Sequence, residues 1–230
     1  YFKESIKVTV YFSLLAVVGS MVYSLIVAML LNRKIPARGF FRAVFYLPYV
    51  LPAAAVYIGW SWLYNTEWGL FNYILSKLGI ERLMFVSSSS QVVPSLALIA
   101  VWLSGNLIVI FLAGLQNVPR VYHEAAEIDG ANAWQRFWNV TIPSISPIIF
   151  YNVLTALITH LQVINPALAL TDGGPGKKSM FMSYVIYLYA FKKNKLGYAA
   201  AYSVIFFILV GIFTAVLFKT QKEQIFGEGE

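Results

Sequence analysis

The sequence predicts an all-α fold: a polytopic bundle of transmembrane helices. Of the 230 residues, 59% are hydrophobic and only 12% are charged, whereas soluble domains carry about 25% charged residues. The apolar residues form long runs, and most charges lie in the short segments between them. A soluble core of this size could not hide so much apolar surface, so a bilayer is the natural solvent for the chain.

Five stretches are long and apolar enough to cross a bilayer, which takes about 20 residues. They are residues 8–31, 41–64, 92–115, 145–170 and 198–218, within one transmembrane domain that covers residues 1–230. Pro48 and Pro52 lie inside the second span and each removes a backbone donor, which favours a kink. Such a kink either bends the helix around a cavity or has a purely packing origin.

A sixth apolar stretch, residues 180–191, is too short for a span and favours an interfacial or re-entrant helix. It lies in a predicted outer segment, residues 171–197, together with five lysines. These are Lys177, Lys178, Lys192, Lys193 and Lys195. If this helix did span, the C-terminus would move to the outer side.

Orientation comes first from four basic residues that follow the first span and mark the cytoplasmic side. These are Arg33, Lys34, Arg38 and Arg42. Over the whole chain, however, the inner segments hold eight Lys and Arg residues and the outer segments hold nine. The positive-inside rule alone therefore does not decide the topology.

Composition also disfavours several classes of function. The net charge of +7 comes from bases in short loops, which indicates topology signals and lipid-headgroup contacts and not nucleic-acid binding. The chain has no cysteine, so a disulfide framework or thiolate metal site is not expected. No paired carboxylates, nucleophile triad or metal-spaced cluster is found, which argues against an enzyme. The two histidines, His123 and His160, lie in different segments.

Between the third and fourth spans, residues 116–144 have the composition of an ordered cytoplasmic loop. Asn117 is a plausible N-cap and Pro119 suits the first helical turn. We expect one helix to run to about Asp129. Gly130 can adopt a positive φ and end it, and a second helix over residues 131–139 should stop before Pro143. The product is a compact helix-turn-helix under the membrane.

The surface of this loop suits docking to a protein. It offers small residues for close approach, carboxylates for basic partner groups, and an apolar face. These are Ala125 and Ala126, then Glu124, Glu127 and Asp129, then Trp134, Phe137 and Trp138. The alternative is an amphipathic helix on lipid headgroups, but acidic residues suit an anionic leaflet poorly. DNA binding is disfavoured because the first helix is acidic and the bilayer tethers both ends.

The loop resembles the EAA loop of binding-protein-dependent ABC importer permeases. The matching pattern is Glu124-Ala-Ala, three residues, Gly130, nine residues and Val140-Thr-Ile-Pro143, with Val140 and Ile142 where the family usually has Ile and Leu. Further segments resemble the carbohydrate-type branch, the maltose- and glycerol-phosphate-like permeases. These are Asn32-Arg-Lys, Gly39-Phe-Phe-Arg, Leu47-Pro-Tyr-Val-Leu-Pro52, Ala113-Gly-Leu-Gln, Val118-Pro119, Leu170-Thr-Asp-Gly-Gly-Pro175 and Leu196-Gly-Tyr-Ala-Ala-Ala-Tyr202.

The resemblance implies a mechanism. Residues 124–130 would be the coupling helix, seated in a cleft of a cytoplasmic ATPase, with Glu124 meeting the ATPase and Gly130 keeping the turn. The implied partners are a second homologous permease, two ABC ATPase subunits that bind ATP-Mg, an extracytoplasmic solute-binding protein and membrane lipids. The chain itself would bind no cofactor and catalyse nothing.

The resemblance also implies a location and a topology. The location is the bacterial inner membrane. Residues 180–191 would lie outside, the C-terminus inside, and one further helix upstream of Tyr1.

A polar stripe on the fourth span suggests where a solute passes. Its members lie three or four residues apart and share one helical face, and further polar or aromatic candidates lie nearby. The stripe is Asn152, Thr155, Thr159 and Gln162, and the others are His160, Asn106 and Trp102. Amides and hydroxyls suit a neutral hydroxylated solute, and Trp102 could stack on a sugar ring. The alternative is ordinary hydrogen bonding between helices.

Two questions stay open at the level of sequence. An ion-coupled secondary carrier is the alternative function, but it would want intramembrane carboxylates, and no Asp or Glu lies inside the five spans. The solute is expected to be a sugar, an oligosaccharide or a related polyol. The five outer lysines leave an anionic sugar or glycerol phosphate open.

Overall fold

The computed structural model describes residues 1–226, with side chains up to residue 220. Within this range the regular structure is helical and no strand occurs. In chain order the helices are α1 (Phe2–Asn32), α2 (Arg38–Val50), α3 (Ala53–Leu63), α4 (Leu70–Lys77), α5 (Val92–Trp102), α6 (Gly105–Asn117), α7 (Arg120–Ile128), α8 (Ala133–Ser144), α9 (Ser146–Leu161), α10 (Met182–Tyr187) and α11 (Leu196–Phe226). A 3₁₀ turn (Phe85–Ser87) and π turns (Ala167–Thr171, Leu188–Lys192) complete the described elements.

Two helices, α1 and α11, are long and apolar enough to cross a membrane unbroken. Three further helix pairs pass the same length and composition test, but each is bent at a short break. The bend is 99° between α2 and α3, 48° between α5 and α6, and 70° between α8 and α9. Counting each pair as one broken span gives up to five crossings by length and composition, and the predicted all-α transmembrane fold is confirmed.

Helix α1 is the axis of the bundle, because it packs against α5, α6, α9 and α10. Its buried face carries small residues, which let neighbouring backbones approach closely. At Gly19 a Cβ atom would lie 2.6 Å from the Val101 Cγ2 atom of α5. The buried small residues of α1 are Ser5, Thr9, Ser13, Ala16, Ser20, Ser24 and Ala28.

The break between α2 and α3 falls inside the predicted second span. Pro52 is the N-cap of α3, whereas Pro48 stays inside α2 and is buried. The predicted kink is therefore confirmed, and it is located at Pro52. A second break, between α5 and α6, was not predicted. There Gly105 comes so close to α2 that a Cβ atom would lie 2.9 Å from the Phe45 carbonyl oxygen.

The predicted fourth span, residues 145–170, is wrong in its C-terminal part. Helix α9 ends at Leu161 with Gln162 as its C-cap, and the chain turns before it forms the separate turn Ala167–Thr171. Pro166 gives the reason, because it lacks the N–H donor that a continued helix would need to bond the Gln162 carbonyl.

The outer segment lies at the N-terminal end of α1. The ammonium groups of Lys177 and Lys193 lie 4.9 and 4.7 Å from the ring centroid of Tyr1. The short helix predicted here is confirmed as α10 and its π turn. The Tyr184 hydroxyl donates a hydrogen bond to Asp172. Burial, and then the hydrogen bond and charge of Asp172, raise the pKa of Tyr184 above its ordinary value, so the hydroxyl keeps its proton.

The loop of residues 116–144 lies at the opposite end of α1. Arg38 and Arg42, a few residues after α1, both reach the Gln116 side chain at the end of α6. Near the described end of α11, Phe218 packs on Phe150 of α9 at 5.2 Å between ring centroids. The 116–144 loop and the end of α11 therefore share one side, and residues 171–197 lie on the other. The predicted topology requires this arrangement of the two segments at opposite ends of the bundle.

Candidate functional sites: the 116–144 loop and a cavity at the helix breaks

The first helix of the loop is α7, and it begins later than predicted. Asn117 is not its N-cap but the last residue of α6, and Pro119 takes the N-cap position. The reason is that Val118 and Pro119 are extended, with ψ angles of 119° and 132°. At the other end Asp129 is the C-cap and Gly130 has φ +80°, as predicted.

The second helix, α8, is held by a capping box. Asn132 Oδ1 accepts from the Gln135 N–H at 2.9 Å, and Gln135 Oε1 accepts from the Asn132 N–H at 2.8 Å. The prediction that this helix stops before Pro143 is wrong, because α8 continues to Ser144. A π turn within α8 (Phe137–Thr141), just before Pro143, widens the helix, and that spacing accommodates a residue that cannot donate to an ordinary helical carbonyl.

The carboxylates of the loop have different roles. Glu127 forms an ion pair with Arg136 and so ties α7 to α8. Among the described side chains, Glu124 and Asp129 form no ion pair. Ala125 is exposed beside Glu124, and Ala126 is half-buried. Glu124, Ala125, Glu127 and Asp129 are all exposed on the loop.

The predicted aromatic face exists as a cluster. Trp134, Phe137 and Trp138 pack on one another with ring centroids 5.1–6.0 Å apart. Trp134 is 68% exposed and Trp138 is 50% exposed. Aromatic rings exposed together are typical of an interaction surface.

Sequence reasoning missed an apolar strip on α7. Val121 and Ile128 are 67% and 87% exposed, and they lie four residues before and three residues after Ala125. This spacing places all three on one helical face. The signal was in the sequence, since a helix rich in charges had no other reason to carry apolar residues at these positions.

A cavity of about 540 Å³ lies where the α2–α3 and α5–α6 breaks meet the C-terminal end of α9. Leu51 and Ala53 come from the α2–α3 break, Leu103 and Ser104 from the α5–α6 break, and residues 162–165 from the end of α9. Non-helical backbone at membrane depth is tolerated where it is buried in protein or lines a cavity. The breaks and the cavity are therefore one feature, of the kind that holds solutes in transporters.

Most of the predicted pathway residues line this cavity. They are Asn106, Thr155, Thr159, His160 and Gln162. Trp102 and Asn152 are not part of the lining. Trp102 packs on Trp60, with ring centroids 5.5 Å apart. Asn152 is fully buried and its Nδ2 donates to the Leu107 carbonyl oxygen of α6 at 3.3 Å. For Asn152 the structure favours the alternative, a hydrogen bond between helices.

Helix α1 does not line the cavity, but its serines hold two residues that do. The Ser20 hydroxyl lies 3.4 Å from Nε2 of His160, which is only 9% exposed. The Ser24 hydroxyl lies 3.0 Å from the Ser104 hydroxyl. Sequence reasoning missed both serines, although they recur at the four-residue spacing of a single helical face.

The chemistry of the cavity is neutral and polar. Its described lining holds hydroxyl, amide and imidazole groups among apolar side chains, and no Lys, Arg, Asp or Glu. Within the described residues no cluster of three His, Cys, Asp or Glu side chains could hold a metal ion.

Residues 19–222 match the family described as binding-protein-dependent transport system inner membrane component. The chain belongs to this family. The resemblance stated from residues 117–143 is thereby confirmed. The chain is a multi-pass permease of the bacterial inner membrane.

Relatives extend this result to ABC importers. The probable ABC transporter permease protein YesP of Bacillus subtilis is 33% identical over 99% of this chain and 74% of its own length. The multiple sugar-binding transport system permease protein MsmF of Streptococcus mutans is 36% identical over 96% and 77%. The sn-glycerol-3-phosphate transport system permease protein UgpA of Agrobacterium fabrum is 32% identical over 96% and 76%.

A solved structure shares the fold. A chain of a bacterial alginate ABC transporter, in complex with an alginate pentasaccharide-bound periplasmic protein, superposes with a TM-score of 0.84 at 21% identity. The superposition covers 96% of this permease and 78% of that chain. The family and these relatives support an ABC importer permease over an ion-coupled secondary carrier.

Proposed function

We propose that this permease moves a neutral carbohydrate or a related polyol into the cell by alternating access, driven by separate ATPase subunits. The observation that carries the proposal is the cavity at the helix breaks, whose polar groups are amides, hydroxyls and one imidazole. These groups exchange hydrogen bonds with sugar hydroxyls. A buried anion would need a basic partner, and the described lining supplies no Lys or Arg.

The names of relatives support the class of solute. MsmF is named for multiple sugars and UgpA for sn-glycerol 3-phosphate. The choice between neutral and anionic members of this class rests on the uncharged lining. The five outer lysines, which left an anionic solute open, lie outside the cavity lining.

The same proposal assigns the partners. A second homologous permease completes the transmembrane pathway, two ABC ATPase subunits bind ATP-Mg and hydrolyse it, and an extracytoplasmic binding protein delivers the solute. This chain binds no cofactor and performs no catalysis. Its contact with an ATPase is α7, where Glu124 and the Val121–Ala125–Ile128 strip are exposed. These residues, with Gly130 and Pro143, are the proposed coupling surface.

Solute uptake by the complete reconstituted importer tests the cavity. Thr155→Val and Thr159→Val each remove one hydroxyl and keep the shape. We expect each to raise KM for the solute roughly fivefold, since one hydrogen bond contributes about 1 kcal/mol. Thr220→Val is the matched control, because that hydroxyl, like that of Thr155, bonds a backbone carbonyl of its own helix but lies outside the cavity lining. An unchanged KM in both cavity variants, or uptake of only anionic sugars, would contradict the proposal.

The coupling of uptake to ATP hydrolysis is tested by alanine variants of two glycines that have similar backbone geometry. Gly130 has φ +80° and Gly79, in the outer loop, has φ +71°, and neither position has an atom within 4 Å of a built Cβ. Alanine therefore costs a similar strain at each, about 1–2 kcal/mol. We expect Gly130→Ala and Glu124→Lys to lower uptake per ATP hydrolysed, whereas Gly79→Ala keeps the ratio. Equal ratios in all three variants would rule out α7 as the coupling element.

A further inference from the structure

Two arginines converge on one neutral side chain at the cytoplasmic end of the bundle. With the Gln116 amide oriented so that its oxygen faces them, Arg38 donates to that oxygen at 2.7 Å and Arg42 at 3.0 Å. Arg38 and Arg42 lie one turn apart on α2, and Gln116 lies in the last turn of α6. Two like charges are thus held side by side over a single amide oxygen.

This pair lacks an anionic partner within the described residues. The ion pairs found there are Glu127–Arg136 and Glu4–Lys178, which lie elsewhere. In addition, Nε of Arg38 is buried and has no hydrogen-bond partner. An unsatisfied buried donor on a charged group is costly. Among the described side chains the arrangement therefore lacks an acceptor that carries negative charge.

The first turn of α2 adds further donors beside the arginines. Its N-cap, Ala37, offers no side-chain cap, and the first backbone bond of the turn runs from the Phe41 N–H to the Ala37 carbonyl. At Gly39 a Cβ would meet no atom within 4 Å, so no side chain covers this turn. Free N–H groups at a helix start attract anions.

We propose that Arg38 and Arg42 form a binding site for a phosphate group. Guanidinium groups match phosphate oxygens with paired, charge-assisted hydrogen bonds, and a tetrahedral oxyanion can accept from both arginines at once. The phosphate comes either from an anionic phospholipid headgroup or from the cytoplasm. The exposed bases Arg33 and Lys34 raise its local concentration in both cases.

Such a ligand would fasten α2 to α6 at two levels. Phosphate would hold the cytoplasmic ends of α2 and α6 together at Gln116. Near the cavity, the two helices are already in close contact at Gly105 and Phe45. Because α6 leads directly into the 116–144 loop, occupancy should strengthen coupling between ATP hydrolysis and uptake. This last step rests on the proposed function, whereas binding of the phosphate group does not.

The test uses the complete importer in nanodiscs of phosphatidylcholine, with or without phosphatidylglycerol. The first readout is the number of phosphatidylglycerol molecules retained, measured by native mass spectrometry. The second is the thermal shift on adding inorganic phosphate at constant ionic strength. We expect an Arg38→Gln/Arg42→Gln variant to bind the phosphate group about tenfold more weakly, since hydrogen bonds to charged groups are strong. Arg33→Gln/Lys34→Gln, with the same loss of charge nearby, is the matched control and should weaken binding much less, because these exposed bases attract the phosphate without bonding to it.

Gln116→Glu gives an independent check because it supplies the negative charge from within the chain. It should abolish the response to phosphate and to phosphatidylglycerol and leave the importer folded and stable. A wild-type response to inorganic phosphate identifies a soluble source, and a response to the lipid alone identifies a headgroup. Either result supports the site.

Three results would overturn the site. They are equal losses in both double variants, no loss in either, or loss of the ATPase subunits from the arginine variant in every lipid. The last would assign the arginines to a partner's carboxylates. Uptake by the wild-type importer in phosphatidylglycerol nanodiscs is measured separately from phosphate binding. A failure of the proposed function would therefore change uptake and leave the binding result intact.

Discussion

Helices α1 and α11 are the two unbroken spans, and they are equally long and equally apolar, yet their surroundings are opposite. Each has 31 residues, and the apolar window of each has the same mean hydropathy. In α1, 39% of that window is buried inside the chain, whereas the corresponding window of α11 is exposed or half-buried except at Phe206. Length and hydropathy therefore say that a helix spans the membrane but not which side chains face protein.

The difference lies in side-chain size. Seven of the eleven buried residues of α1 are Ser, Thr or Ala, so that α5, α6 and α9 approach its backbone. Helix α11 presents large apolar side chains outward, such as Phe207, which is 78% exposed. An exposed apolar helix of this kind is stable in contact with lipid or with the second permease. The functional roles divide accordingly: α1 positions cavity residues, and α11 provides surface.

We expect the largest difference in stability between alanine variants of two phenylalanines, one in α1 and one in α11. Phe12 of α1 is fully buried against Phe181, at 5.0 Å between ring centroids, whereas Phe207 of α11 is exposed. Truncating a buried Phe to Ala costs about 3–5 kcal/mol in soluble cores. In a bilayer the cavity part of that cost remains, so we expect Phe12→Ala to lower the thermal unfolding temperature strongly. Phe207→Ala should leave it unchanged, and equal shifts would break the comparison.

An intermediate effect should separate two glycines. A side chain at Gly19 would run into Val101, whereas Gly211 of α11 has no atom within 4 Å of a built Cβ. Overpacking costs about 1–3 kcal/mol, so Gly19→Leu should destabilise the single permease and Gly211→Leu should not. Measuring both in the permease alone and in the complete importer sharpens the comparison. If Gly211→Leu disrupts only the complete importer, α11 contacts the second permease and not lipid.

The number of crossings and the turn of the loop could be predicted because both depend on local sequence. Run length sets the number of crossings, and Gly130 sets the turn at positive φ. The break at Leu103 and Ser104 could not be predicted in the same way, since no proline marks it. It depends on the close approach of Gly105 to Phe45, 60 residues away in the chain.

The candidate cavity could be predicted only in part for a similar reason. Helical spacing placed Asn152 with Thr155 and Thr159 on one face, but the bend before α9 and the packing of α6 turn Asn152 towards Leu107. Trp102 was predicted to stack on a sugar ring because it is aromatic, but in the structure its ring packs on Trp60. The packing of the other helices decides which polar residues face water and which face a neighbouring helix. The sequence pattern of one helix therefore does not predict it.

We expect the smallest difference in stability between alanine variants of two serines, one in α1 and one in α11. This pair tests whether the contrast between the two helices extends to their hydrogen bonds. Ser24 bonds across to Ser104 at 3.0 Å, whereas Ser203 of α11 donates to the Ala199 carbonyl of its own helix at 2.9 Å. Hydrogen bonds between membrane helices contribute about 0.6 kcal/mol on average. Ser24→Ala should therefore lower the free energy of unfolding slightly and Ser203→Ala should not, in reversible detergent unfolding of the permease. A loss in Ser203→Ala equal to that in Ser24→Ala would show that hydroxyls stabilise α11 as they do α1, and the contrast would then be one of side-chain size alone.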